Sequence, residues 1–309
     1  METEVVDLEV LANRLGPRLR RNEPLARHTS FRIGGPAAWY AEVQSEDEIR
    51  LVQQAARAVG LPIFVLGGGT NLLVSDRGVH GVVLRLGRSF AWLRWHTGNG
   101  TARVEAGAAL PFKRLVTESV ARSLEGLEFA EGIPGTLGGG LLMNAGAFGG
   151  EIADVLVGVR GVDAAGQTVA YPRSQLRFGY RHFDLSRGLI VTGLEFALRP
   201  GDPEAIRMRC LAAKCKREQR QPRGLPNAGS IFKNPPGEFA GRLIERVGLR
   251  GFRYGNAMFS EQHANFIVNL GGATAAEVRW LMREAERRVR ERFGIQLEPE
   301  VRLVGEWDE

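Results

Sequence analysis

The sequence predicts an α+β fold in two domains, and three observations predict it. Short apolar runs of strand length, with only a few helical patterns, fill the first two thirds of the chain. Arg199-Pro-Gly-Asp-Pro203 then punctuates it, and charged amphipathic helices dominate the remaining third. A chain of 309 residues is long enough for two cores. The expected division is 1–199, 204–299, and 300–309 for a C-terminal strand.

The elements follow in order. Ser45 and Glu48 form a capping-box pair that opens a helix over 45–60, and Gly60 ends it. Pro62-Ile-Phe-Val-Leu66 reads as a buried strand, Gly67-Gly-Gly-Thr-Asn71 as a tight loop, and 72–76 as renewed extended chain. Strands at 82–86 and 102–106 precede a helix over 111–124, a glycine-dense block over 132–150, and strands near 155–163 and 189–198. Past the break, 204–219 is a charged helix and 238–247 a shorter one, with a strand at 266–269. Thr274 and Glu277 cap a long amphipathic helix ending near Phe293, and 300–304 is the last strand. The sequence shows neither internal repeats nor low-complexity segments.

Composition excludes several classes. No run approaches ~18 uninterrupted apolar residues, so membrane insertion is not expected. The acidic start, Met-Glu-Thr-Glu-Val-Val-Asp, lacks the basic and apolar regions of a secretory signal. Cys210 and Cys215 form neither a zinc set nor a Cys-x-x-Cys pair and suit a reducing cytoplasm. The net charge of +6 is carried almost wholly by arginine, with lysine only at 113, 214, 216 and 233, and acidic residues interleave throughout. That dispersal differs from the basic stripe of a nucleic-acid binder and suits phosphorylated small molecules. No metal cluster and no obligate protein partner is indicated.

Two glycine blocks point to a nucleotide cofactor. Gly67-Gly-Gly-Thr-Asn71 follows a strand, where consecutive N–H groups can nest phosphate oxygens. It is neither a P-loop nor a Gly-x-Gly-x-x-Gly fingerprint, and taken alone it serves a structural turn equally well. Eight glycines then fall between 132 and 150. Packing of side chains does not account for so many, whereas close approach of the backbone to a bulky flat ligand does. Ile133 and Pro134 offer that ligand an apolar face and Asn144 an amide. Two such loops in one domain suit a dinucleotide with a pyrophosphate and a ring system.

The third feature is Asn227-Ala-Gly-Ser-Ile-Phe-Lys-Asn-Pro235. Ile231 and Phe232 would anchor it while Ser230, Lys233 and Asn234 face a cavity, as in a segment built to hold a side chain in place. A lone loop serine more often caps a helix or satisfies backbone.

These blocks, with Thr29-Ser-Phe-Arg-Ile-Gly-Gly35, Met143-Asn-Ala-Gly-Ala147, Phe178-Gly-Tyr-Arg181, His263-Ala-Asn-Phe-Ile-Val-Asn269 and Leu297-Glu-Pro-Glu-Val301, resemble the UDP-N-acetylenolpyruvoylglucosamine reductase family. The likeness runs from about residue 25 to the C-terminus with the motifs in the family's order. Phe148, Phe183 and Leu141-Leu142 depart from the residues usual there, and the compact length resembles the form without an inserted tyrosine loop. The resemblance implies an FAD-binding domain of the vanillyl-alcohol oxidase (PCMH) type plus a smaller α+β substrate domain. It implies FAD held by Gly67, Gly68, Gly69, Thr70, Asn71, Leu72, Ile133, Pro134, Gly135, Thr136, Asn144, Ala147 and Ile190. The implied reaction is NADPH-dependent reduction, through FAD, of UDP-N-acetylglucosamine enolpyruvate in cell-wall precursor synthesis.

The resemblance also assigns chemistry. Arg181 matches the arginine that steadies enolate charge, with two parallel donors and a fixed cation. Ser230 matches the proton donor and Glu300 the acid beside the enolate. An ionised Glu300 would repel that charge, so it is expected to be protonated or to orient a donor during hydride transfer. A pH–rate profile indifferent to Glu300→Gln would exclude this. Tyr180, Lys233, Asn234 and Gln262 are the expected substrate contacts, and His263 is a weaker one. The basic run from Lys214 to Arg223 suits either a diphosphate or a solvated helix face. No His falls in the first glycine loop, and His80 is the next downstream, so FAD is expected to be non-covalent. Rival readings are an oxidase or dehydrogenase of the same fold, a flavin-storing protein without turnover, and an RNA-binding protein.

Overall fold

The computed structural model describes residues 8–98, 100–184 and 188–307. The acidic start at 1–7 lies outside them. The chain forms two compact units, one of Met1–Arg21, Trp39–Gly68 and Gly81–Lys216, the other of Asn22–Ala38, Gly69–His80 and Arg217–Glu309.

The first unit is built mainly on two larger sheets. One is ordered Leu19–Pro24, Pro36–Val43, Val79–Leu86, Ile63–Leu66, with the last two parallel. The other is antiparallel and ordered Thr168–Pro172, Leu156–Val162, Ile190–Pro200, Thr101–Gly107, Leu93–Gly98, and Leu124–Glu125 pairs the end of Ile190–Pro200. Along Ile190–Pro200, Thr192, Leu194, Phe196 and Leu198 are buried, the period-two pattern of a sheet with one covered face. The helix Glu46–Ala58 buries Ile49, Val52, Ala55 and Ala56 against Ala41, Val43, Val82 and Leu84. Its first turn is tied to the antiparallel sheet by Glu46, which accepts from Thr192 Oγ1 (2.9 Å) and Thr168 Oγ1 (2.8 Å). Burial opposes ionisation of Glu46, but those hydroxyls, with Arg160 and Arg50, hold its carboxyl below the usual range.

The second unit packs Phe31, Ile33 and Leu73 with Ile231, Phe232, Phe259 and Ile267 beneath the helix Ala275–Phe293. That helix buries 275, 278, 281, 282, 285 and 289, one face at helical spacing. Thr274 and Glu277 form the expected reciprocal box. Asp76 accepts from the N–H groups of Ala275 (2.8 Å) and Ala276 (2.9 Å), so its charge meets the positive helix end.

Three boundaries differ from the sequence expectation. The units divide after Lys216, within the helix Pro203–Arg220, rather than at 199–203. Residues 22–38 and 69–80 pack with the C-terminal part, being held by Phe31, Leu73 and Asp76. The final strand is not a separate piece: Arg302–Val304 pairs in parallel with Leu72–Val74. At the helix Glu46–Ala58 only the forward arm of the expected box forms, Glu48 N–H to Ser45 Oγ (3.2 Å). The Glu48 carboxylate instead takes both Arg18 guanidinium nitrogens (2.5 and 2.7 Å) and the Gln44 N–H (2.6 Å).

Candidate active site

A cavity in the first unit is lined in part by residues too small to fill it. Gly67, Ala108, Ala109, Gly138 and Gly139 line it together with apolar residues that include Val65, Leu66, Leu142 and Ile190, with Thr136 and Arg85 as the polar elements. The loop reaches this cavity only because it lacks side chains. A Cβ at Gly68 would stand 2.6 Å from Gly135 Cα, and one at Gly67 would stand 2.9 Å from Thr136 Oγ1. A flat ring against the glycines, with an anionic group toward Arg85, fits this donor set. We expect Gly68→Ala to force the two loops apart, lowering stability by about 1–3 kcal/mol. Flavin absorbance per protein after desalting should fall with it, and full retention would exclude the contact.

Of the expected cofactor residues, Gly67, Thr136 and Ile190 line this cavity. Gly68 and Gly135 form the backbone contact behind it. Gly69 (φ +64°) packs on the His28 backbone in the second unit, and Leu72 is a buried strand residue there. Asn71 gives its side chain to the Glu300 carbonyl (3.0 Å). Ile133 is partly buried against a core of the first unit that includes Phe112, Leu137 and Phe196, and Ala147 pairs with Gly150. Thr70 and Pro134 are not among the cavity-lining residues.

The glycine-dense block needs a correction. It contains a helix, Leu137–Leu142, and several of its glycines answer to the protein's own packing. A Cβ at Gly138 would meet Ala108 at 3.2 Å, at Gly140 Ile152 at 3.1 Å, and at Gly150 Phe129 at 2.9 Å. Only Gly138 and Gly139 of that helix's glycines reach the cavity. Asn144 is likewise committed internally: it is fully buried at φ +40°, accepts from Ala153 N–H (3.1 Å) and donates to the Gly179 carbonyl (3.2 Å).

That second bond holds the hairpin Arg177–Gly179/His182–Asp184, whose two-residue turn is Tyr180-Arg181. Arg181 sits at φ +54°, a left-handed conformation that costs a non-glycine residue about 1–2 kcal/mol. Phe183, one of the departures, is buried and stacks on Phe178 with centroids 4.6 Å apart, and the Arg173 guanidinium lies over the Phe178 ring. The hairpin is thereby clamped from one side while Tyr180 stays exposed.

In the second unit, backbone bonds join the Ser230 and Glu300 segments. Glu300 N–H donates to the Ile231 carbonyl (2.8 Å), Lys233 N–H donates to the Glu298 carbonyl (2.9 Å), and Phe232 bridges Pro299. Across the other edge, Ile231 N–H donates to the Asn265 carbonyl (2.8 Å). An irregular layer results, running from Asn265 through 231–233 and 298–302 to Leu72–Val74. Ile231 and Phe232 are wholly buried, as the anchoring reading expects, while Ser230 is half-buried. Lys233 pairs with Glu298, Asn234 accepts from Ala240 N–H (3.1 Å), and Gln262 donates to the Gln219 carbonyl (3.1 Å). These three expected substrate contacts therefore have partners within the protein.

Sequence reading missed Asn265, Ala108, Ala109 and Arg85. Gly107-Ala-Ala109 at the end of a strand carried a signal of the same kind as Gly67.

His263 is held neutral. Burial pushes its pKa below the ordinary 6.5, and Nδ1 accepts from Asn265 N–H (3.1 Å). Arg220 lowers it further while Glu245 opposes. A histidine shifted down in the fold costs no stability above its unfolded value and destabilises as pH falls from 6.5 through the lowered value. We expect the melting midpoint of His263→Gln to lose less than that of the native protein across that window. Parallel curves would refute this.

Among the described residues no helix is long and apolar enough to cross a membrane, and no group of His, Cys, Asp and Glu is placed to hold a metal ion.

Comparison with known proteins bears on both units. The FAD binding domain family matches residues 37–171, and the UDP-N-acetylenolpyruvoylglucosamine reductase C-terminal domain family matches 221–304. The chain is similar to UDP-N-acetylenolpyruvoylglucosamine reductase 2 of Symbiobacterium thermophilum, 47% identical over 93% of this chain and 92% of that protein. A reductase of the same name from Rubrobacter xylanophilus is 44% identical over 95% and 97%. Among solved structures, the UDP-N-acetylenolpyruvylglucosamine reductase of Thermus caldophilus gives a TM-score of 0.79 at 39% identity, covering 93% of this chain and 99% of that one. Physcomitrella patens BBE-like 1, at 13% identity and a TM-score of 0.56 over 92% and 88%, shares the fold alone.

Proposed function

The chain belongs to the UDP-N-acetylenolpyruvoylglucosamine reductase family, and from that premise we propose that it reduces UDP-N-acetylglucosamine enolpyruvate to UDP-N-acetylmuramate with NADPH, in the cytoplasm. The observation that carries the reading is the direct backbone bond between the Ser230 and Glu300 segments, 2.8 Å from Glu300 N–H to the Ile231 carbonyl. It joins, through backbone, the two segments that carry Ser230 and Glu300, which are far apart in sequence.

FAD, when bound, supplies hydride transfer from NADPH to the enolpyruvyl double bond. Gly67, Gly138, Gly139, Thr136, Arg85 and Ile190 would hold it in the first unit's cavity. The protein's own groups do the rest. Arg181 presents a fixed cation to the substrate carboxylate, where charge grows as the double bond is reduced. Ser230 gives its hydroxyl proton to the neighbouring carbon. Glu300, protonated or orienting a donor, shares the enolate charge. Tyr180 and Lys233 are assigned to the substrate, Lys233 by exchanging Glu298 for an anionic substrate group.

Anaerobic mixing with NADPH, then with the UDP-sugar enolpyruvate, tests the assignment by flavin absorbance. Bleaching followed by recovery on adding substrate is expected. Bleaching reversed only by oxygen would replace this reading with that of an oxidase, and absence of bleaching would leave a flavin-binding protein.

A further inference from the structure

We infer that Asn265 is a positioning residue: its amide sets the register of the Ser230 segment and, one hydrogen bond further on, of Glu300. The inference rests on the roles proposed for Ser230 and Glu300. Asn265 is 3% exposed, and its side chain meets both backbone polar groups of one residue. Phe232 N–H donates to Oδ1 (3.0 Å) and Nδ2 donates to the Phe232 carbonyl (2.8 Å). The Asn265 carbonyl also accepts from Ile231 N–H (2.8 Å). Three bonds therefore fix the two residues that follow Ser230. The Ile231 carbonyl on the opposite edge receives Glu300 N–H (2.8 Å), and the Glu300 carbonyl receives Asn71 Nδ2 (3.0 Å). Both functional segments are thus held between two side-chain amides.

The chemistry requires an amide at 265. It must accept on one oxygen and donate from the other arm at the same time. An apolar residue would strand a buried N–H and a buried carbonyl. An ionised Asp would keep the acceptor but set its second oxygen against the Phe232 carbonyl. A protonated Asp restores the donor. Asn265→Asp should therefore regain function as pH falls, a response that a space-filling role does not predict.

The test is anaerobic stopped-flow on the FAD-loaded protein, reading bleaching by NADPH and then recovery with the UDP-sugar enolpyruvate. Asn265→Ala and Asn265→Asp should slow recovery about 10–100-fold, as displacement by a fraction of an ångström to one ångström does. Bleaching should be unchanged, and recovery in Asn265→Asp should quicken toward low pH more steeply than the native protein's. Asn269→Ala is the control. Asn269 is equally buried, but its amide serves Phe31, Gly271 and Ala273. It should lose stability without slowing recovery. If Asn265→Ala does not fold, Asn265→Asp across pH carries the test alone. Native recovery in folded Asn265→Asp at high pH, or equal slowing of both steps with no pH response beyond the native protein's, overturns the inference. Should Ser230→Ala itself recover at the native rate, the underlying proton-donor reading fails instead, and that outcome is separable because it does not involve Asn265.

Discussion

Replacing Arg181 by Lys should slow reduction of the enolpyruvyl substrate about 10²–10³-fold, the loss of roughly 3–4 kcal/mol expected on removal of a donor acting in the transition state. Lysine keeps the charge but gives up the paired, planar donors that match a carboxylate. Bleaching by NADPH should survive. A second substitution separates catalysis from folding. Arg181 occupies φ +54° at the tip of a hairpin pinned by Asn144 and by the Phe178–Phe183 stack. Glycine would relieve about 1–2 kcal/mol of left-handed strain and return about 0.4–1 kcal/mol through its freer unfolded chain. Arg181→Gly should therefore melt at or slightly above the native midpoint while losing at least as much activity as Arg181→Lys. A native rate of flavin recovery in Arg181→Lys would remove the residue from the mechanism. A marked fall in the midpoint of Arg181→Gly would show instead that the side chain supports the fold.

Strained backbone of this kind is not visible in a sequence, and it marks the limit of what could be read there. The long helix Ala275–Phe293 was legible because its cap, period and terminal Gly294 all speak locally. The strands Ile63–Leu66 and Ile190–Pro200 were legible as apolar runs. The hairpin at Arg177–Asp184 was not, since its turn is Tyr180-Arg181 rather than a glycine pair and its stability comes from Asn144 and stacked rings. The Ser230 segment was legible as chemistry but not as structure. Pro226, Gly229, Pro235 and Pro299 interrupt any strand pattern, so its ladder is completed by the Asn265 amide and the Glu300 backbone instead. The glycine-dense block was over-read as ligand contact, because a glycine that makes room for Phe129 or Ile152 looks the same in sequence as one that makes room for a ring. The joining of residues 22–38 and 69–80 to the C-terminal unit depends on long-range partners such as Asp76 with Ala275, which no local pattern announces.

Ser230→Ala should slow flavin recovery by substrate about 10²–10⁴-fold, the usual contribution of a positioned proton-transfer group. The structure makes this a clean test. The turn before Ser230 is fixed by Gly229 N–H to Asn227 Oδ1 (3.0 Å) and by Gly229 at φ +77°, and the chain after it by buried Ile231 and Phe232. No structural bond depends on the hydroxyl: among the described residues it has no hydrogen-bond partner in the protein. Alanine should therefore change stability by no more than about 0.5 kcal/mol, the range for substitutions that remove no cap, core contact or buried bond. A large rate loss with an unmoved melting midpoint can then be assigned to chemistry. Cysteine offers the complementary test. A thiol (ordinary pKa about 8.5) is a stronger acid than a serine hydroxyl but a weaker hydrogen-bond donor, so Ser230→Cys should fall between Ala and native. In the alanine variant, proton delivery becomes the slow event, and the solvent deuterium isotope effect on recovery should rise above the native value. Recovery at the native rate, with an unchanged isotope effect, would mean that water or another side chain delivers the proton and that the layer joining the Ser230 and Glu300 segments serves orientation alone.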